Sequence, residues 1–362
     1  MKTLIAGRLA AFMVLALAAA FADAATQAAF ADAAKLVPVR LTVDEDPISV
    51  RLASSLGYFE QEGIKIVPVD LTKLTGEDYL MQEALMQGKI DASYHWFNHA
   101  IYGARHGFPI KAVMVFNDAP GMTVLVANRV KDQVRSVADF RGRNVAEGAD
   151  YGIKSMITHY LAGKAGLPPG AFTSVIQQEE GRTQAVIQGL RDGKVDAMTF
   201  EEPVVSELMA TNMVSPLLDL NSKASTEAAL GAPFPAQSLL MSPTFIAAHP
   251  DTVQHLVNAF VRSMRFINTH SVDEIVAKLP PAYFDGKDRA AAIKLIRDTL
   301  PAQAKGDYAF SPKAVDLVVN MNLAYSFDTS KEGQWRASGA AHVDPSALYD
   351  NRFVNQAMRA IP

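Results

Sequence analysis

Leu190-Arg191-Asp192-Gly193-Lys194-Val195-Asp196-Ala197-Met198-Thr199-Phe200-Glu201-Glu202-Pro203 reads as the end of one helix, a strand, and the start of another. An echo lies upstream, where Leu85-Met86-Gln87-Gly88-Lys89-Ile90-Asp91-Ala92 repeats Leu-x-x-Gly-Lys-(Ile/Val)-Asp-Ala. In each copy an apolar-periodic helix stops at glycine, which accepts the left-handed C′ conformation, and a β-branched run opens a strand. Helix, glycine, strand is the αβ joint of a parallel sheet. Either copy alone reads equally well as an ordinary αβ turn; the pair predicts two similar lobes.

Around the first copy, Val37 to Asp44 reads as a strand, Ser49 to Gly57 as a helix and Ile64 to Leu71 as a second strand. Asp78 to Gln87 and Lys89 to Tyr94 give the next helix and strand, so the order βαβαβ predicts a parallel sheet with right-handed crossovers. Ile110 to Phe116, ending at Asn117, and Met122 to Ala127 follow as strands. Around the second copy the grammar recurs: a strand ending near Glu147, a helix from Ile153 to Ala165, a strand from Thr173 to Gln177, a helix from Thr183 to Leu190, and a strand from Val195 to Phe200.

The chain has 362 residues, 49% hydrophobic and 20% charged, which is a globular composition. A net charge of −4 and a pI near 6.1 argue against a nucleic-acid partner. With no cysteine there is no disulfide framework, thiolate metal site or cysteine nucleophile. At the N-terminus, Lys2 and Arg8 precede an apolar core from Leu9 to Phe21 and the small residues Ala22-Asp23-Ala24, the pattern of a cleaved export signal over residues 1–24. Ala31-Asp32-Ala33 offers a second cleavage point as late as 33. The alternative, a membrane anchor, needs about 20 apolar residues and this run is shorter. A periplasmic protein, not inserted in the membrane after cleavage, is expected.

In open sheets of this kind ligands sit beyond the carboxyl ends of the strands. That rule selects Asp44, Asp46 and Pro47 after the first strand and His95, Trp96, Phe97 and Asn98 after the third; Asn117, at the end of the fourth strand, and Glu201 and Glu202, at the end of the second copy, are further candidates. Trp96 and Phe97 read either as an apolar wall for a ligand or as packing under the next helix. The join Gly148 to Ile153 is a further recognition loop, with Gly148, Asp150, Tyr151 and Gly152 where a helix N-terminus offers free N–H groups. His95 and His99 stand four apart, but no carboxylate cluster completes a ligand set, so neither a metal nor another cofactor is expected. His95 is expected in the loop and His99 in the following helix.

Gly57-Tyr58-Phe59-Glu60-Gln61-Glu62-Gly63-Ile64, Gly88-Lys89-Ile90-Asp91, Val137-Ala138-Asp139-Phe140-Arg141-Gly142-Arg143-Asn144-Val145, Lys164-Ala165-Gly166-Leu167 and Gly193-Lys194-Val195-Asp196-Ala197 with Glu202-Pro203 resemble, in order and spacing, the nitrate/sulfonate/taurine class of ABC-transporter substrate-binding proteins. Tyr349-Asp350-Asn351-Arg352-Phe353-Val354 looks like that family's closing segment. The resemblance implies an α/β, two-lobed type II periplasmic-binding-protein fold, each lobe a mainly parallel sheet flanked by helices. Lobe 1 would comprise residues 36–122 and 242–362 and lobe 2 residues 127–237, joined by crossover strands near 122–127 and 238–245. Val253 to His270 would be a long helix on lobe 1, and the rest of the C-terminal part would wrap the outside as helices, Ala314 to Tyr325 among them.

The resemblance further implies a monomeric receptor that captures a small-molecule ligand between the lobes and hands it to the transmembrane subunits of an ABC permease. Asp46, Asp150, Glu201 and Glu202 would repel a simple anion such as nitrate unless lysine or arginine offset them. A sulfonate/taurine-like zwitterion or a nitrogen-containing heteroaromatic suits such a cleft better. Glu201 and Glu202 read alternatively as acids opening a helix, with Pro203 in its first turn. The same resemblance extends to proteins that make the thiamine pyrimidine, but their cysteine-rich iron-binding motif is missing here. No Gly-x-Ser-x-Gly elbow, P-loop or His-Glu-x-x-His occurs, so the chain does not read as an enzyme. A ligand sensor feeding a signalling partner would carry the same sequence features.

Overall fold

The computed structural model describes residues 36–43, 47–71, 73, 81–148, 152–175, 181–325 and 342–361. The export signal expected over residues 1–24 lies outside the described residues. Two five-stranded mixed sheets form the two lobes. The first contains β1 (Val37–Val43), β2 (Ile64–Pro68), β3 (Ala92–Trp96), β4 (Lys111–Val115) and, from much later in the chain, β10 (Gln237–Met241), in the order β2-β1-β3-β10-β4. The second contains β5 (Met122–Ala127), β6 (Asn144–Ala146), β7 (Thr173–Val175), β8 (Ala197–Glu201) and β9 (Val214–Leu220), in the order β7-β6-β8-β5-β9.

Each sheet holds one strand that runs against the other four. In lobe 1 it is β10, antiparallel to β3 and β4; in lobe 2 it is β5, antiparallel to β8 and β9. Both are buried along their whole length, including the polar Thr123, Gln237 and Ser238. β10 ends at Met241 rather than continuing towards Phe245, because Ser242 accepts the N–H of Phe245 and caps a helix with Pro243 at its first position. β9, which the sequence reading did not find, completes lobe 2.

Helices α1 (Ile48–Ser55), α2 (Tyr58–Gln61), α3 (Met81–Met86) and α4 (Asn98–Arg105) belong to lobe 1. Lobe 2 carries α5 (Ile153–Lys164), α6 (Arg182–Arg191), α7 (Val204–Ala210) and α8 (Lys223–Leu230). After β10 come α9 (Pro243–Ala248), α10 (Pro250–Thr269), α11 (Val272–Lys278), α12 (Arg289–Thr299), α13 (Pro312–Tyr325) and α14 (Arg352–Ala360). The long α10 buries one apolar face on lobe 1, where Phe260 meets Phe59 and Phe116 edge-on at 5.2 and 5.0 Å between ring centres. No helix among the described residues is long and apolar enough to cross a membrane.

The repeated Gly-Lys-x-Asp-Ala segments do the same thing in both lobes. Gly88 and Gly193 end their helices with φ of 64° and 70°, the left-handed region where a Cβ is strained. Asp91 then accepts from the backbone N–H of Arg40 on β1 (2.7 Å) and from its Nε (3.0 Å). Asp196 accepts from the backbone N–H of Asn144 on β6 (2.9 Å) and from Arg129 Nη2 (2.8 Å). Each buried aspartate thus pins the start of its strand to the neighbouring parallel strand and neutralises its charge on an arginine. Those strands are therefore held at their feet, and their carboxyl ends are left to carry chemistry.

α13 ties the two lobes together from outside. It packs on α4 of lobe 1 and α5 of lobe 2. Its buried Asn322 accepts from Arg105 of lobe 1 (3.4 Å) and points its amide nitrogen at the sulfur of Met156 in lobe 2 (3.7 Å).

Candidate functional site

A cavity of about 370 Å³ opens where the carboxyl ends of β3 and β8 face each other. Lobe 1 contributes Pro47, Tyr94, Trp96, Asn117 and Gln237; lobe 2 contributes Glu201, Glu202 and Pro203. Trp96 stands five residues beyond Asp91 and Glu201 five beyond Asp196, so the two copies of the repeat deliver their equivalent residues to opposite walls. One wall is aromatic and the other acidic.

Strand geometry explains which neighbours reach the cavity. Side chains alternate along a strand, so Tyr94 and Trp96 share the cavity face and His95 points to the other. His95 lies in β3 rather than in the loop, and its ring meets that of His99 on α4 at 4.1 Å. Its Nδ1 accepts the N–H of Trp96 at 2.8 Å, and burial pushes its pKa down to about 4, so it is neutral at physiological pH. Phe97 is fully buried and packs on Phe310 at 4.9 Å, which makes it core and not wall.

Of the other predicted residues, Gly148 turns the chain after β6 with φ of 76°, and Gly152 is the N-cap position of α5. Neither lines the cavity. Behind them the fully buried Glu147 lies 3.0 Å from His159 Nε2 and accepts from Ser155 and Ser174, anchoring the start of this loop. Asp44, Asp46, Asp150 and Tyr151 lie outside the described residues.

The acidic wall is compensated. Lys154, in the first turn of α5, pairs with Glu201 at 3.0 Å, and both side chains are largely buried. The Arg182 guanidinium sits over the Phe200 ring at 5.6 Å, held below its usual pKa by burial while the Glu201 carboxylate works the other way. Both cations thus lie beside Glu201. Glu202 accepts the N–H of Ser206 at 3.1 Å and so opens α7 as well as lining the cavity.

A third wall comes from the C-terminal part of the chain. The C-terminal part does not only wrap the outside: Tyr283, Lys287, Leu295, Ile296, Thr299, Ala302 and Gln303 all line the cavity. Gln303 bridges to Asn117 of lobe 1, and together with Gln237 these residues bring three amides to the site, each able to donate and to accept. The described residues offer aromatic, amide and acidic surfaces. They suit holding a small polar organic molecule.

Residues 39–280 match the model of the NMT1-like family. Among curated proteins, the 4-amino-5-hydroxymethyl-2-methylpyrimidine phosphate synthase of Aspergillus parasiticus is 23% identical over 229 residues, which span 60% of this chain and 61% of that protein. The chain therefore matches less than two thirds of that relative's length. Among solved structures, a protein of Bordetella bronchiseptica RB50 superposes with a TM-score of 0.66 at 23% identity, over 90% of this chain and 98% of its own. The putative sulfonate ABC transporter periplasmic sulfonate-binding protein of Methylobacillus flagellatus KT gives 0.65 at 15% identity, over 90% and 94%. The two superpositions establish the two-lobed fold.

Proposed function

The chain belongs to the NMT1-like family, and on that premise we propose that it is an extracytoplasmic solute-binding receptor of an ABC importer. It captures a small polar organic ligand between its lobes and delivers it to a membrane permease. The observation that carries this reading is the pairing of Trp96 with Glu201 across one cavity, each from the equivalent strand end of its lobe. A planar or apolar part of the ligand rests on Trp96 and Tyr94, and its N–H donors face Glu202 and the amides. A nitrogen-bearing ligand, heteroaromatic or aminosulfonate-like, fits these walls best.

Binding starts on one lobe, and closure follows by hinge motion about the segments that join β4 to β5 and β9 to β10. Shifting a mostly open receptor to a mostly closed one needs on the order of 5 kcal/mol of differential affinity, within the roughly 8 kcal/mol of a micromolar ligand. The closed form is the one a permease recognises. The receptor works in the periplasm, a location supported by the export-signal pattern of residues 1–24, and acts there as a monomer. The synthase name of the curated relative raises an enzymatic reading, but this chain has no cysteine and so lacks the cysteine-rich motif that the resemblance attaches to that chemistry.

Thermal-shift screening of the protein against taurine, alkanesulfonates, nitrate and aminopyrimidines tests the proposal, because a ligand that binds only the folded form raises the melting temperature. A saturable shift with one class supports a receptor and identifies its ligand chemistry. Turnover of a bound pyrimidine, followed by mass spectrometry, would overturn the receptor reading.

A further inference from the structure

We infer that the segment from Pro281 to Gln303 is a lid carried by lobe 1 which closes over the cleft and sets the shape of what lies beneath it, with Lys294 as its latch to lobe 2. This deepens the receptor reading and rests on it only for the identity of what the lid covers. The segment is a 3-10 turn (Pro281–Phe284), then α12, then a second 3-10 turn (Leu300–Ala302). Its far end is fastened to lobe 1, where Gln303 bridges to Asn117 and the Ala304 N–H donates to the Phe116 carbonyl at 2.7 Å. Its near end is stiffened by cations on rings: Lys287 over Tyr283 and Arg289 over Phe284, both at 4.1 Å. Asp288 caps α12 by accepting the Ala291 N–H at 2.7 Å.

The two faces of α12 differ in chemistry. Leu295, Ile296 and Thr299, at helical spacing, face the cavity. Thr299 spends its hydroxyl on the Leu295 carbonyl (2.9 Å), so the face that α12 itself turns to the cleft is apolar. Lys294 instead reaches across to lobe 2, donating to Ser206 Oγ of α7 at 2.9 Å while pairing with Asp298 of its own helix. The Glu202 carboxylate, on the cavity wall of lobe 2, also favours its charge. Because Lys294 is largely exposed, this is a weak and reversible tie, as a latch must be. The lid therefore selects ligands with one apolar face, turned towards Leu295, and polar groups turned towards the amides and acids below.

Trp96 lines the cavity under the lid and reports on it without any ligand. In a Trp335→Phe background Trp96 is the remaining tryptophan, and acrylamide quenching of its fluorescence reads its accessibility. Lys294→Ala is expected to raise the quenching constant about twofold by increasing local opening, with the urea midpoint unchanged. Lys294→Arg is expected to keep the parent value. Lys294→Cys with Ser206→Cys, joined by a short bismaleimide in a chain with no other thiol, is expected to lower the constant below the parent. Unchanged quenching in both the alanine variant and the bridged protein overturns the lid. These measurements use no ligand, so a lid that responds while mass spectrometry finds turnover of a bound pyrimidine would sink the receptor reading alone.

Discussion

Asp91 in lobe 1 and Asp196 in lobe 2 stand at the feet of equivalent strands, each accepting a backbone N–H from the adjacent parallel strand and a guanidinium. In lobe 1 a single residue, Arg40, supplies both donors; in lobe 2 Asn144 supplies the N–H and Arg129 the guanidinium. Higher up, the strands part company. Where lobe 1 has Tyr94, His95 and Trp96, lobe 2 has Thr199, Phe200 and Glu201. The repeated device therefore fixes where strand ends lie, and the residues that differ decide what those ends meet. A motif found twice marks the scaffold, and the ligand chemistry has to be sought just beyond it.

The largest effect expected from this contrast is in the response to acid. His95 is held at about 4 in the fold and titrates near its ordinary 6.5 when unfolded. Between those values the unfolded chain binds the extra proton, so this group's contribution is intact above about pH 6.5 and falls away towards pH 4, by up to about 3 kcal/mol. His95→Phe, which writes the lobe 2 residue into lobe 1, is expected to remove that part of the slope in urea titrations taken across this pH range. An unchanged slope would break the assignment of His95 as a buried neutral base.

Next in size, Asp91→Ala and Asp196→Ala are each expected to cost about 2 kcal/mol in urea unfolding, since each strands an arginine and a backbone N–H. Ligand affinity should stay within about twofold, because both sites lie at the opposite end of the strands from the cavity. A loss confined to one lobe would end the equivalence of the two feet. Trp96→Ala is expected to weaken binding tenfold or more, about 1.4 kcal/mol, with the fold intact; calorimetric titration with the ligand class from the thermal screen measures it. Equal affinity would remove Trp96 from the site. The smallest effect is Gly163→Ala on α5, where the new Cβ would collide with the Tyr325 hydroxyl of α13. It is expected to cost about 1 kcal/mol and to loosen the tie between the lobes.

Much of the frame was legible in the sequence. The fully buried run of β5, the glycine stops of both repeats and the apolar periodicity of α10 and α13 each have a local cause, and local causes can be read one segment at a time. The lining of the candidate cavity was legible where strand ends determine it, at Pro47, Trp96, Asn117, Glu201 and Glu202. Phe97 was unreadable because wall and core look alike until Phe310, far along the chain, is placed against it. β9 escaped notice because Pro216 and a half-exposed pattern hide its strand character. The α12 wall escaped for a different reason: nothing in Arg289–Thr299 signals that its apolar face closes a cleft rather than packs on a sheet.

The origin of the reversed strands sets an order of assembly. Every strand of the lobe 2 sheet lies within the single stretch from Met122 to Leu220, so that sheet has all its material as soon as the stretch is available. The lobe 1 sheet does not: β3 and β4 are held together by β10, which arrives only after the whole of lobe 2. Closing so long a loop is slow on entropic grounds, and until it happens β3 and β4 have no strand between them. Lobe 2 can thus complete its sheet from one stretch of chain, whereas the lobe 1 sheet cannot close without β10.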